Sequence, residues 1–226
     1  MQERPGQSQE EKVQIIDLTH LISEDMPVYP GTAGPRMRLA NSYDVHGFKE
    51  TLISMYTHTG THMDPPAHLF PGRTTLDKFP VSQFVGKALA IDCSDLTAGQ
   101  SITVERINRV REKADQAEFI LFRSGWDRYW GTNDYFGDYP CIADDVADYL
   151  IKGNKKGVGV DAISIDPISD QNLTMHKKLF KYNEMVVIEN LTNLHLLGGG
   201  LFTLCAFPLK HIDADGSPVR AVALLD

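Results

Sequence analysis

A chain of 226 residues with 42% hydrophobic and 23% charged residues has the composition of an ordinary globular protein, long enough to bury one substantial core. Its formal net charge of −8 argues against a nucleic-acid or anionic-membrane surface, which needs clustered Lys and Arg; the short pairs Lys155-Lys156 and Lys177-Lys178 read as solvated faces. Three separated cysteines without a CxxC spacing argue against a disulfide framework and a thiolate zinc site, and no apolar run approaches the roughly 20 residues of a membrane span.

The opening MQERPGQSQEEK lacks the apolar core of a secretory leader. Residues 1–12 are therefore expected to form a flexible polar tail, followed by a single domain over 13–226 of a cytoplasmic protein. VQIIDLTHLI (13–22) is rich enough in β-branched and apolar residues for a strand, and PVYPGTAGP (27–35) is an irregular loop. The segment 32–48 continues as loop, and FKETLISMYTH (48–58) alternates apolar and polar as a strand does.

KALAIDCS (87–94) reads as a buried strand, TVERINRVREKAD (103–115) as a helix capped by Thr103, and EFILFRSG (118–125) as a strand. An aromatic-rich loop, WDRYWGTNDYFGDYP (126–140), leads to a helix over 141–154 and an apolar strand, GVGVDAISID (157–166). A short helix at 172–183 precedes a strand at 184–190, and the glycines 198–200 turn the chain into two strands, 201–209 and 219–225. Many strands with few helices predict a β-rich α/β domain, and no repeat or linker divides it.

The stretch MYTHTGTHMDPPAHLF (55–70) carries His58, His62, Asp64 and His68 within eleven positions. An HxxxH spacing ordinarily marks a helix face, but Gly60 and Pro65-Pro66 oppose a helix, and Pro65 pushes Asp64 towards extended backbone. The ligands are expected to converge because a loop wraps around them, with Gly60 free to turn. Imidazole and carboxylate suit zinc, manganese or iron, and a three-ligand set leaves positions open for water, as in a hydrolytic site.

The pattern His58-Thr-Gly-Thr-His62-Met-Asp64-Pro-Pro-Ala-His68 resembles the HxGTHxDxPxH signature of the cyclase family, which includes bacterial kynurenine formamidases and isatin hydrolases. DLTHLISEDMPVYPG (17–31), LFRSGW (121–126), GVDAISID (159–166), IENLTNL (188–194) and DGSPVRAVALL (215–225) are similar to other family segments. The resemblance implies a β-barrel-like layer of strands surrounded by helices, assembled as a homodimer or homotetramer. It also implies one ion held by His58, His62 and Asp64 and a second by Asp64, His68, His176 and Glu189, hence one or two Zn2+ or Mn2+ per chain. In isatin-hydrolase members a single ion is present and the position of His68 is catalytic. Taken alone, His176 reads as a surface helical residue and Glu189 as a strand-end carboxylate.

The implied activity is hydrolysis of a small amide, first an N-formyl aromatic amine, by water whose pKa the metal lowers towards about 7, with His68 or Glu189 moving the proton. A cyclic amide or lactone, as in isatin hydrolases, is the sibling reading, and a non-catalytic protein binding metal and a small aromatic acid is the third. Tyr29, Trp126 and Trp130, with Tyr135 and Phe136, either stack on an aryl substrate or pack in the core. Asp161 and Asp166 either orient ligand histidines or cap loops. His20 and His46 are expected to pack, and His195 and His211 to be structural or exposed.

Overall fold

The computed structural model describes residues 13–225, so the expected tail at 1–12 lies outside the described residues. In chain order the strands are β1 (Gln14–Asp17), β2 (Arg36–Asn41), β3 (Glu50–Ser54), β4 (His62–Asp64), β5 (Val85–Asp92), β6 (Ser101–Ile102), β7 (Phe119–Arg123), β8 (Cys141–Ile142), β9 (Gly157–Val160), β10 (Val186–Glu189), β11 (Leu201–Pro208) and β12 (Ser217–Leu225). The helices are α1 (Tyr43–His46), α2 (Val104–Asn108), α3 (Arg111–Gln116), α4 (Asp144–Lys152) and α5 (Thr174–Tyr182). Among these residues, no helix is long and apolar enough to cross a membrane.

Strands β12, β11, β5, β7, β9, β10 and β4 hydrogen-bond in that order, and β4 returns to the first residues of β12, which closes a barrel. Beyond β4, the far end of β12 carries β1 on the same edge. The run β5-β7-β9-β10 is parallel and the remaining pairings are antiparallel. Side-chain alternation sorts two cores. Ala88, Phe119, Leu121, Val186, Ile188, Leu204 and Ala221 fill the barrel, while Leu89, Ile120, Phe122, Val158 and Val187 point outward under Ile107, Ala114, Leu150 and Phe180 of the helices. Strands coated on both faces read as the near-continuous apolar runs seen in FILF and VVI. Gly157 marks a close approach within this barrel: a Cβ there would stand 2.8 Å from the Val186 carbonyl and 2.9 Å from the Phe119 ring.

Several boundaries differ from those read in the sequence. The segment 32–48 is not a plain loop, because Arg36–Asn41 pairs with Glu50–Ser54 in a separate two-stranded arm that carries α1. All five residues of β3 are exposed, so its alternation does not signal a buried face. The helix expected over 103–115 breaks at Val110 (φ −128°, ψ 26°), a β-branched position two residues after the weak helix former Asn108 that gives up helical geometry. The helix expected from 141 begins at Asp144, since Cys141–Ile142 are drawn into a parallel pairing with Ser101–Ile102. Strand β9 stops at Val160, and 161–166 turn towards the site described below.

Lys155 departs most from expectation, being 5% exposed rather than solvated. Its ammonium donates to the carbonyls of Ala114 (2.6 Å), Asp115 (3.2 Å) and Ala117 (2.6 Å), closing the C-terminal end of α3. Helix carbonyls without intrahelical partners need such a donor. Lys155→Met keeps the aliphatic bulk but strands those carbonyls, and urea unfolding should show a loss of about 2–3 kcal/mol.

Candidate metal centre

Strand register assembles the first part of the site. His62 and Asp64 are separated by one residue on β4 and leave the same, outer face, while Met63 between them is fully buried in the barrel. Antiparallel pairing sets Glu189 of β10 directly opposite His62, and Val187 opposite Asp64. Two of the motif residues therefore converge through a strand rather than the loop expected for all of them. The extended conformation that Pro65 favours at Asp64 is the local reason.

His58 does belong to a loop, the turn between the arm and β4, where Gly60 has φ +65°. Three hydrogen bonds fix that turn against the end of β10: the Thr61 hydroxyl donates to the Asn190 carbonyl (2.6 Å), the Asn190 amide to the Gly60 carbonyl (2.8 Å), and the Tyr135 hydroxyl to Asn190 Oδ1 (2.6 Å). The Gly60 carbonyl also accepts from His62 Nδ1 (2.8 Å), leaving Nε2 of that ring facing Asp64 (3.3 Å) and Glu189 (3.5 Å). His58 turns Nδ1 towards Asp64 Oδ1, 2.6 Å away.

The last ligand arrives on α5. Asp166 accepts from the backbone N–H of Met175 (2.7 Å) and of His176 (3.1 Å), which caps the helix, and from His176 Nδ1 (2.7 Å). Nε2 of His176 then stands 3.2 Å from Glu189 Oε1 and 3.5 Å from Asp64 Oδ2. Asp166 is thus an orienting carboxylate as well as a cap. Asp161 is not, because its carboxylate accepts from the Ser124 N–H and hydroxyl and from the Gly125 N–H at the end of β7.

Two overlapping sets result, His58/His62/Asp64 and Asp64/His176/Glu189, each with its ligand atoms within 4.8 Å of one another. Asp64 is shared. Bonds of about 2.0–2.2 Å to a tetrahedral ion would hold ligand atoms roughly 3.4 Å apart, close to the spacings of His62 and His176 Nε2 from the Asp64 and Glu189 oxygens (3.2–3.5 Å), while His58 Nδ1 lies nearer to Asp64, at 2.6 Å. His176 Nε2 is inaccessible to solvent yet makes no hydrogen bond in either direction, as a nitrogen reserved for a cation would be. Burial alone would lower the affinity of His62 for a proton, but the Asp64 and Glu189 carboxylates reverse this and push its pKa up to about 9. His176 is likewise raised against its burial, by its bond to Asp166 and the nearby Asp64 and Glu189 carboxylates, and Asp64, against its own burial, is held well below the usual carboxylate range by His62 and His58. A pocket that draws protons onto buried imidazoles is one that favours a divalent cation, and the donors fit such an ion.

His68 stands apart from the second set. It lies in the short helical turn Pro66–His68, its ring centroid 4.0 Å from that of His58 and 6.3 Å from that of His176. Its nearest candidate cluster is His58/His68/Asp215, and Asp215 carries no signal in the spacing of the motif. Burial lowers the His68 pKa. Gly216 cradles His58: a Cβ there would lie 2.5 Å from Nε2 and 2.8 Å from Nδ1 of the ring. Gly216→Ala should therefore displace His58 and weaken metal binding by at least about tenfold, read by titration of the metal-free protein.

These residues form the floor of a cavity of about 450 Å³, whose upper walls are Val28, Tyr29, Tyr56, Ile163 and Leu173. No lysine or arginine is among its lining residues. Tyr29 lies where an aryl group would meet it, whereas Trp126 and Trp130 do not line the cavity. Trp126 is 6% exposed and donates its indole N–H to the Tyr135 carbonyl (3.0 Å); Trp130 stacks on His20 at 3.9 Å. The indoles pack because the whole aromatic segment folds against Ala162 and Ile163 behind the cavity wall. His46, His195 and His211 are exposed.

A closed barrel with histidines and carboxylates clustered on its outer wall defines an α/β barrel protein built around a candidate divalent-cation site. The Cyclase family model matches residues 16–167. A kynurenine formamidase from Bacillus mycoides is 32% identical over 217 residues, covering 92% of this chain and 96% of its own length. Among solved structures, isatin hydrolase A from Labrenzia aggregata bound to benzyl benzoate superposes with a TM-score of 0.85 at 29% identity, covering 94% of each chain. A predicted metal-dependent hydrolase from Bacillus stearothermophilus superposes with a TM-score of 0.72 at 29% identity, covering 94% of this chain and 98% of its own. The chain belongs to the Cyclase family.

Proposed function

We propose that this protein is a metal-dependent hydrolase of small amides, with N-formyl aromatic amines as the first substrate class, working in the cytoplasm. One observation carries the reading: two ligand sets share Asp64 at the floor of a largely apolar cavity of about 450 Å³. The relatives named kynurenine formamidase and isatin hydrolase A support it. His58, His62 and Asp64 would hold one ion and Asp64, His176 and Glu189 a second, with zinc and manganese both suited to these donors. A divalent ion there would supply Lewis acidity and lower the pKa of water near neutrality.

The chain's own residues do the rest. Tyr29, Tyr56 and Leu173 hold an aromatic ring against the apolar wall and exclude water around it. His68, beside His58 in the lining, takes the proton of the attacking water and returns it to the departing nitrogen, while Glu189 shares that task when it is not engaged by metal.

One feature of the cavity favours the sibling reading, a cyclic amide or lactone. Without lysine or arginine in the lining, a substrate carboxylate held away from the ions meets no side-chain countercharge, and a compact neutral ring fits better. Assays of N-formylkynurenine and isatin side by side, on protein loaded with zinc or manganese, decide between the two. No turnover of either substrate at full occupancy would overturn the hydrolase reading in favour of a binding protein for a small aromatic acid.

The arm supports self-association. Leu39, Phe48, Leu52 and Ile53 are each about half exposed on and beside β2 and β3, an apolar surface that a second copy would cover. A homodimer or homotetramer is expected in light scattering, with a monomer as the contrary result.

A further inference from the structure

A second cavity, of about 390 Å³, shares no lining residue with the cavity over the metal centre. Strand register explains why it exists. Strand β11 begins at Leu201, opposite Leu89, whereas β5 runs on beside β7 to Asp92, so Ala90, Ile91 and Asp92 have no strand partner on their β11 side among the described residues. The chain entering β11 is Gly198-Gly199-Gly200, and a Cβ at any of the three would meet no atom within 4 Å. A turn without side chains beside an unpaired strand edge leaves a notch. Lys113 of α3 holds the turn in place, donating to the Gly199 carbonyl at 2.6 Å.

The lining of the notch has two chemistries. Leu89, Ala90, Ile91 and Leu194 are buried and form an apolar floor. The charged side chains are Arg106 of α2, Arg109 just after it, Arg123 at the end of β7 and a single carboxylate, Asp92. Three guanidinium groups thus gather in one notch of a chain whose net charge is −8. Arg106 is engaged by Asp95 through two bonds, at 2.6 and 2.8 Å. Arg123 gives Asp92 one N–H at 3.2 Å, which leaves most of its five donors unused. Arg109 makes no hydrogen bond or ion pair among the described residues; Asp95 and Glu105 act on it only as nearby charges. Two guanidinium groups with unused donors beside an apolar floor suit a carboxylate carried on a flat apolar body. A phosphate dianion suits the notch less, because Asp92 shares the lining and repels a second negative charge.

We propose that this notch is a second binding site, for a small aryl carboxylate whose oxygens bond to Arg109 and Arg123 while its ring covers Leu89, Ile91 and Leu194. Its volume lies within the range of small-molecule sites, roughly 300–1,000 Å³. The site depends neither on the metal centre nor on any substrate of the proposed function.

The test uses the full chain. Wild type, Arg109→Gln and Asp64→Asn, all prepared with zinc and labelled with 15N, are titrated with benzoate, with its neutral counterpart benzyl alcohol and with inorganic phosphate, and backbone amide shifts are followed by NMR. In wild type, benzoate should shift the amides of residues 91–92, 109–110 and 194–199 and saturate with a Kd of about 1 mM or tighter. Benzyl alcohol and phosphate should bind there at least about tenfold more weakly. Arg109 is exposed, so Arg109→Gln keeps the fold, and it should weaken benzoate binding by at least about tenfold. Asp64→Asn should leave these shifts and their Kd unchanged, whatever it does to binding at the metal centre. Equal benzoate affinity in Arg109→Gln, phosphate binding tighter than benzoate, or benzoate shifts confined to the metal cavity would each overturn the proposal. Because Asp64→Asn separates the two cavities, failure of the metal centre to hold an ion would contradict the proposed function and leave this site standing.

Discussion

Asp64→Asn is expected to remove metal from both ligand sets and to lower kcat/KM by roughly 10³–10⁴-fold, equivalent to about 4–5.5 kcal/mol of transition-state stabilisation. The reason is geometric. One carboxylate, 1% exposed, reaches His58 Nδ1 at 2.6 Å, His62 Nε2 at 3.3 Å and His176 Nε2 at 3.5 Å, so Asp64 belongs to both sets. The isosteric amide retains the shape and discards the charge. Its carbonyl is a weak ligand, and its NH₂ group would confront ring nitrogens that need a cation or an acceptor. Metal content by mass spectrometry, measured on the sample used for kinetics, checks both halves. Full metal occupancy in Asp64→Asn would remove Asp64 from the ligand assignment. The fold should survive, because strand β4 is held by backbone pairing to β10 and β12.

Asp166→Ala should combine a structural and a functional loss. The carboxylate accepts from the N–H groups of Met175 and His176 on α5 and from the His176 ring, so its removal leaves only the Asp170 cap on Thr174 and frees the ligand at once. Capping and a charge-assisted bond together are worth about 2–4 kcal/mol of stability. Release of His176 should weaken the second ion about 10–100-fold. Urea unfolding and metal titration separate the two effects, and Asp166→Asn, which keeps one acceptor oxygen, should fall between wild type and the alanine variant. A stable Asp166→Ala protein with wild-type metal affinity would show that helix packing alone orients His176.

These two predictions differ in how far the sequence foretells them. Asp64 is legible from spacing alone, since Gly60 and Pro65-Pro66 rule out a helical HxxxH and leave a metal-binding turn as the economical alternative. His176 and Glu189 are not. A histidine early in a helix and a glutamate ending a strand are ordinary residues, and only the likeness to the cyclase family marked them. The physical basis is the pairing of β10 against β4 and the Asp166 bridge to α5, contacts between segments remote in the chain. Asp215 is invisible for the same reason.

The strand content was readable because runs such as FILF and VVI are buried on both faces, but barrel closure depends on the short contact of Ser217 and Pro218 with Met63 and His62. Local pattern also misled in two places. The alternation of ETLIS belongs to an arm exposed on both faces, and Lys155, which looks like a surface charge beside Lys156, is buried with its ammonium on the carbonyls that end α3. Trp126 and Trp130 illustrate a general ambiguity: aromatics dense in one loop can line a cavity or build its back wall, and here Tyr29 does the former while the indoles do the latter.

The central claim is that the outer wall of the barrel holds a divalent ion on which hydrolysis depends. The most direct measurement follows metal content and hydrolysis rate on a single preparation, first as zinc- or manganese-loaded protein, then after chelation and desalting, then after the ion is restored. The account predicts at least one ion per chain at the outset, loss of hydrolysis in step with loss of metal, and recovery of both together. Hydrolysis that continues at its original rate in protein stripped of metal would contradict it.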